Sequence, residues 1–327
     1  MDKKDSILAA VGGSFKDKTQ FMILSSRRLI KYMKEVKEIF SDGTFCTPAK
    51  LAVSQIWNLV TERRNHTLCL ARVLMQSRKT KCYTGVLKAL KRLTKRKFRP
   101  STVMADFEKS QQKGWAKIFP AARRRGCHFH YNKNIVKRAK KTRLTKLVKA
   151  SKEANLLVGC LCALPLLPED LICKGYVYVV KRAAKKGHFD KLGPLLKYVL
   201  TSWMQGPNSD VLSVYRCDNR TSNVCESDNA SLAALLKIKH PAVWALLGAF
   251  LESEDATHQD ILTLDRGLNP SGLRRSSALA NDECLKGLWD DLDRGTISVG
   301  KFLRQASKTV RGVVHKEFFK KKANEEN

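Results

Sequence analysis

Three acids in a strongly basic chain have the residue types and settings for metal-assisted phosphoryl transfer. Asp42 stands in EIFSDGTFC (residues 38–46), at the end of a strand-like run and before a glycine. By itself Ser-Asp-Gly is turn chemistry, because aspartate bonds its own backbone and glycine accepts positive φ. Asp106 ends a second strand-like run, STVMADFE (101–108). Two carboxylates at the ends of neighbouring strands suit Mg2+, a hard ion that takes carboxylate, water and phosphate oxygens. Two such ions can activate an attacking oxygen and stabilise a leaving one. A third carboxylate is expected for the second ion, and Glu226, opening the helical stretch CESDNASLAALLKI (225–238), is the candidate. Asn223 lies three residues earlier, so the pair also reads as a reciprocal helix cap; the two roles are compatible.

The elements that must position these acids follow from periodicity. Residues 1–35 read as a basic, mainly helical segment. VKEIFSDGT (36–44), VSQIWNLVT (53–61) and TLCLARVLM (67–75) read as three strands with short connections, hence an antiparallel meander. CYTGVLKALKRLTKRKF (82–98) has helical spacing at Val86, Leu87, Leu90 and Leu93 and is stopped by Pro100. STVMADFE is then the fourth strand, 107–120 a helix, RRRGCHFHY (123–131) a fifth strand and 132–150 a basic helix. The order is α/β in class, a mixed five-stranded sheet flanked by helices. The right-handed crossover rule sets the fourth strand beside the first. That brings the strand ends carrying Asp42 and Asp106 together, at the switch point where such sheets bind ligands. The core's first part thus spans 36–150, a helical insertion 151–215, the core's completion with C-terminal helices 216–310, and a charged tail 311–327. Trp203 and Trp244 read as core residues.

Charge narrows the partner. The chain carries 62 Lys and Arg against 30 Asp and Glu, a net charge of +32 over 327 residues. That exceeds what solubility needs and points to a polyanion. Residues 78–149 hold 24 Lys and Arg against two acids, Asp106 and Glu108, whereas 251–295 hold ten acids and five bases. Such a basic block repels itself unless a polyanion lies across it. The candidate nucleic-acid contacts are Arg123, Arg124 and Arg125, then Lys133, Lys137, Arg138, Lys140 and Lys141; the plainer reading of the second group is a solvated helix face. Contacts of this kind place a duplex without reading its sequence. KRLTKRKFRP (91–100) also has the composition of a nuclear localisation patch.

A hydrophobic content of 43% supports a core and excludes a disordered basic tail. The longest apolar run, LLVGCLCALPLLP (156–168), is too short to span a bilayer and holds two prolines, which sets a membrane role aside. MDKKDSIL has no apolar core, so no signal peptide is expected. The ten cysteines show no paired framework, as expected of reduced thiols in a cytosolic or nuclear protein. CLC (160–162) reads as core packing.

The motifs also fall in a family's order. SDGTF (41–45), TVMADFEKS (102–110), FPAARRRGCHFHYNKNI (119–135), LPLLPEDL (164–171), NRTSNVCESDNASL (219–232) and HPAVW (240–244) follow one another. Over about residues 36–310 the chain resembles the catalytic domain of Mutator-like element (MULE) transposases, of the type often linked to FLYWCH zinc fingers. The resemblance implies a DDE transposase with a ribonuclease-H-like core and a helical insertion before the last acid. It implies that Asp42, Asp106 and Glu226 are the catalytic acids and hold two Mg2+ or Mn2+ ions. It matches Cys127 and His130 to the family's Cys-x-x-His pair near the active site. Zn2+ is a further option there, but two ligands do not close a zinc site; Cys217, Cys225 and His128 are imaginable partners. The implied partners are DNA, as element ends and target duplex, and further copies of the chain in a homo-oligomer. The implied location is nuclear.

The chain departs from the family in two places. Only 41 residues precede Asp42 and they hold no Cys/His cluster, so recognition of element ends is expected from a separate partner or not at all. The family's glutamine after the Cys-x-x-His pair is absent; HYNKNI offers Asn132 and Asn134. These departures support an alternative, a transposase-derived DNA-binding or regulatory protein without transposition. A nuclease without strand transfer lies between the two. An RNA-binding protein accounts for the charge alone.

Overall fold

The computed structural model describes residues 7–44, 53–221, 223–238, 241–270 and 276–319. Phe45 of SDGTF, Ser222 and His240 of the later motifs, and 320–327 of the tail lie outside the described residues. The chain divides into two compact units, one of residues 1–125 and 221–273, the other of 126–220 and 274–327. Among the described residues no helix is long and apolar enough to cross a membrane.

The first unit carries seven strands: β1 (Leu8–Gly12), β2 (Phe21–Leu24), β3 (Glu38–Thr44), β4 (Gln55–Arg63), β5 (His66–Met75), β6 (Thr102–Ala105) and β7 (Arg123–Gly126). Their order across the sheet is β1-β2-β5-β4-β3-β6-β7. The meander β3-β4-β5 is antiparallel, as its short connections require. Arg64 and Asn65 turn β4 into β5 at φ of 52° and 63°, the left-handed pair of a two-residue hairpin. Helix α2 (Thr80–Leu93) carries the chain across to β6, which pairs parallel with β3, as the crossover rule demands. Helix α3 (Lys109–Ile118) leads on to β7.

Two expectations of secondary structure need correction. The sheet has seven strands and not five, because β1 and β2 fall where a helical segment was expected; only the short helix α1 (Arg27–Tyr32) is helical there. The FMIL run alternates faces along β5, pairing from Phe21 opposite Met75 to Leu24 opposite Arg72, and has no helical period. The strand expected over 123–131 stops at Gly126. Helix α4 (His128–Lys141) begins there, burying His128, Tyr131, Asn132, Ile135, Val136 and Ala139 at helical spacing.

Both faces of the sheet are covered, which is why most of β4 and β5 is buried without polar alternation. On one face Ile39, Trp57, Leu59, Val73 and Val103 pack against α2 and α3. Trp57 sits edge-on to Tyr83 at 4.9 Å and to Trp115 at 5.9 Å. Contacts of this geometry add about 0.5–1.5 kcal/mol beyond area burial. On the other face Leu24, Ile56 and Leu74 pack against α9 (Asn223–Leu236) and α10 (Val243–Asp265). The Arg63–Asp265 salt bridge (2.5 Å) and the His66–Asp260 hydrogen bond (2.7 Å) pin the far half of α10 to the β4–β5 hairpin. Trp244 is not a core residue: it is 82% exposed, since α10 buries Leu246, Ala249 and Phe250 and residue 244 falls off that face.

The second unit is helical: α4, α5 (Thr145–Ala150), α6 (Lys152–Ala163), α7 (Ile172–Lys185), α8 (Phe189–Tyr198), α11 (Ser276–Asp293) and α12 (Val299–Phe319). Its centre is α6, apolar on all sides from Leu156 onward, packed against α4, α5, α7 and α12. Cys160 and Cys162 are buried there as core residues, and Trp203 is buried as expected. Three side chains bond the carbonyls that end α6 and begin the next turn. Tyr131 donates to Leu161 (2.9 Å), the His128 Nε2–H to Cys162 (2.7 Å), and the Trp289 indole to Leu166 (2.7 Å).

Burial holds the His128 imidazole down at about 4 from 6.5, with the nearby Arg220 charge acting the same way and the Cys162 bond opposing. The folded pKa lies below the unfolded one. This contribution to stability is therefore whole above pH 6.5 and is lost as pH falls toward 4, by up to about 3 kcal/mol. Urea titrations across that window should show wild type losing more stability than His128→Gln; equal losses would remove His128 as the cause.

Candidate functional site

The SDGT stretch is not a turn. Ser41, Asp42, Gly43 and Thr44 are the last residues of β3, and β4 pairs beside all of them, with Asp42 opposite Asn58 and Gly43 opposite Trp57. Ser41 faces α3, where its hydroxyl accepts from the Trp115 indole (3.2 Å) and the Gln111 amide (2.8 Å). Alternation then turns Asp42 to the opposite face, the one α9 covers. On the parallel neighbour Ser41 pairs with Ala105, the last residue of β6, so Asp42 on β3 and Asp106 just past β6 come next in the two chains. The two aspartates thus stand side by side at the carboxyl ends of parallel strands. Asp106 Oδ1 accepts from the Phe107 N–H (2.6 Å), and the Gln112 amide donates to the Asp106 carbonyl (3.0 Å), fixing the exit from β6.

A polar row crosses the sheet beside Asp42. Asp42 lies opposite Asn58 on β4, and Asn58 lies opposite Arg72 on β5. Asn58 and Arg72 are buried polar residues inside otherwise apolar strands, and both are gripped by α9. The Asn58 amide donates to Asn229 Oδ1 at 2.6 Å. Arg72 forks onto Asp228 with two bonds of 2.7 Å, donates to Ser253 on α10 (2.9 Å), and stacks on Phe250 at 5.5 Å. Glu226 stands one turn before Asn229, in the first turn of α9, where the helix dipole favours a carboxylate. The sheet face carrying Asp42 therefore also holds the helix carrying Glu226, and α9 packs on β3, β4 and β5.

A second network adjoins Asp106 from the α2 side. Gln55 donates to the Tyr83 hydroxyl (2.6 Å), and that hydroxyl donates to Glu108 (3.0 Å). Burial holds the Glu108 carboxyl above the usual carboxylate range; the Asp106 charge adds to this, and Tyr83 and Arg78 oppose it. Gly43 leaves room for this network, since a Cβ there would lie 2.6 Å from Gln55 Oε1.

The donor set of Asp42, Asp106 and Glu226 fits hard divalent cations in kind, and α9, which bears Glu226, covers the sheet face that Asp42 takes. The buried Asn58 Oδ1, beside Asp42, has no hydrogen-bond partner among the described residues, an acceptor that a hydrated ion can satisfy. Among the described residues, however, no three His, Cys, Asp or Glu side chains are drawn together into a metal-holding group, either here or around Cys127. Cys127 is buried at the N-cap of α4 and His130 lies in its first turn, both in the helical unit. His128, an imaginable zinc partner, is engaged with the Cys162 carbonyl.

The candidate DNA contacts divide by exposure. Lys133, Lys137, Lys140 and Lys141 line the outer face of α4, while Arg138 is half-buried over Tyr198 at 5.2 Å. Arg123 is exposed and Arg124 half-buried, but Arg125 is 4% exposed, so it sits in the protein and not on its surface. Sequence reasoning passed over Asn58, Arg72, Asp228 and Asn229. Their signal was a polar residue at the middle of each apolar strand, matched by two more in ESDN.

Asp228→Ala should lower stability by about 3–5 kcal/mol, because it strands the buried Arg72 charge. Glu226→Gln, at a half-exposed position, should change it by less than about 0.5 kcal/mol. Chemical denaturation of both variants checks the contrast.

A comparison with curated proteins finds no match. The segment from β3 into α4, residues 39–134, which holds Asp42, Asp106, Cys127 and His130 but not Glu226, matches the family model of the MULE transposase domain.

Proposed function

We propose that the chain is the catalytic core of a DDE-type DNA transposase. The observation that carries this is the parallel register of β3 and β6, which brings Asp42 and the residue that follows β6, Asp106, to adjacent carboxyl ends within the segment matching the MULE transposase domain. The meander followed by two crossover strands supports a ribonuclease-H-like core. Asp42 and Asp106 would hold Mg2+ or Mn2+, with Glu226 as the third carboxylate. When bound, two such ions stabilise charge on the attacking and leaving oxygens of a phosphodiester.

The chain's own part is placement. The grip of Asn229 on Asn58 and of Asp228 on Arg72 sets the first turn of α9 on the face of the aspartates. The exposed lysines of α4 hold phosphates and set the duplex's position, not its sequence. In the proposed first step a water oxygen bonds phosphorus at an element end and the P–O bond to the strand's 3′ oxygen breaks, freeing a 3′-hydroxyl. In the second, that hydroxyl oxygen bonds a target phosphorus, and the target strand's own 3′ oxygen leaves. Action as a homo-oligomer in the nucleus belongs to the same reading.

A second reading, a transposase-derived DNA binder without strand chemistry, rests on the exposed lysines of α4, which can hold phosphates whether or not the acids act. Nicking and strand transfer on labelled duplexes with Mg2+ or Mn2+ separate the two. Wild type should cut or join DNA, and Asp106→Asn should lose that activity by at least about a hundredfold while binding DNA as before. Equal binding with no reaction by wild type would favour the second reading.

A further inference from the structure

A broad cleft of the sheet unit lies away from the acids. It has a volume of about 840 Å3, and it is bounded by α2, the connection from α2 into β6, and the connection from α3 into β7. Five cations line it, Lys88, Lys91, Arg92, Arg96 and Arg99, and no acid does. Four of the five are exposed, and none has an acidic partner among the described residues. Lys88 stands three and four residues from Lys91 and Arg92 on one helix, spacings at which like charges destabilise by about 0.2–0.5 kcal/mol per pair.

The backbone gathers these charges instead of spreading them. Lys95 and Arg96 both take left-handed conformations (φ 52° and 62°), which end α2 and fold the chain back toward its last turn. Each such non-glycine residue costs on the order of 1 kcal/mol. The Arg99 side chain donates to the Arg96 main-chain carbonyl (3.3 Å), holding it against the turn that bears Arg96. Lys91 donates to the Ile118 carbonyl (3.5 Å) and lies over the Phe119 ring at 5.5 Å, fixed in the wall.

We propose that this cleft is a binding site for the phosphodiester backbone of duplex DNA, separate from the acids. A rim of long, donor-only side chains with no acceptor suits repeated phosphates better than a metabolite, whose base and sugar need acceptors as well. The cleft opens at the amino end of β6, beside Pro100, and Asp106 lies at the other end of the strand, about 20 Å away at 3.3 Å per residue. A duplex bound here is therefore held about six base pairs of rise from the acids. The site goes beyond the reaction proposed above and does not rest on it.

The test is binding of a short fluorescein-labelled duplex under a chelator, so that no cutting intervenes, across about 50 to 200 mM salt. The neutral variant Lys88→Gln/Arg92→Gln/Arg96→Gln/Arg99→Gln should lower the slope of log affinity against log salt by about 3.6, at about 0.9 per phosphate. Over that fourfold range the wild type then loses roughly a hundredfold more affinity than the variant. Swapping the same four positions between Lys and Arg should keep the slope. In wild type, the duplex should shield Lys88 from amine acetylation, a readout that needs no variant. An unchanged slope in the neutral variant, or Lys88 acetylated equally with and without duplex, would overturn the site. So would loss of fluorescent ATP binding in the neutral variant while duplex binding stays intact. Failure of Mg2+-dependent cutting would leave this result standing and overturn only the proposed reaction.

Discussion

A single buried ion pair decides where α9 lies. Arg72 is 4% exposed in the middle of β5, and a guanidinium cannot shed its charge there. Its two donors on Asp228, with a third bond to Ser253 and the face of Phe250, satisfy it from two helices at once. An apolar pair of similar volume could match its stability. What the ion pair adds is direction: a bidentate fork admits one rotation of α9 about its axis, whereas Leu232 and Leu236 against Ile56 and Leu74 tolerate sliding. Asn229 on Asn58 is the second peg of the same register. Together they aim the first turn of α9, and with it Glu226.

Much of this was legible in the sequence where a rule of topology acts on clear patterns. Three closely spaced strands made a meander, and a helical crossover from the third to a fourth strand had to bring β6 beside β3. The placement of Asp42 with Asp106 follows from that alone. The reading failed where local pattern and tertiary pairing disagree. FMIL is four residues long, too short for its β-forming Phe and Ile to mark a strand unaided, and the pairing with β5 makes it one. HFHY reads as aromatic strand, yet the peptide groups after Gly126 enter a helix whose buried side is set by spacing from His128 to Ala139. SDG carries turn chemistry, but β4 pairs through it, and Gly43 serves the Gln55 amide instead of a turn. Local preferences of a kcal/mol or so yield to such pairing.

The polar residues of the two strands have a common logic. In strands buried on both faces, an Asn or Arg is expensive unless something arrives to satisfy it. Asn58 and Arg72 lie in one row with Asp42, and both are met by the ESDN turn of α9. The row thus links the acid on β3 with the helix that bears the third acid, a link that strand propensity alone would not suggest. Glu108 repeats the theme on the opposite face, where Tyr83 and Gln55 hold a half-buried carboxyl next to Asp106.

The separation in sequence between Arg72 and Asp228, 156 residues, has a consequence for how the protein is made. During synthesis at about 5–20 residues per second, β5 emerges roughly 8 to 30 seconds before the carboxylate that neutralises it. The whole helical excursion of residues 126–220 is translated in between. Over that interval the sheet has an unpaired cation at its centre and one uncovered apolar face. It can settle only when α9 and α10 leave the ribosome, so the face that bears the acids is the last part of this unit to form.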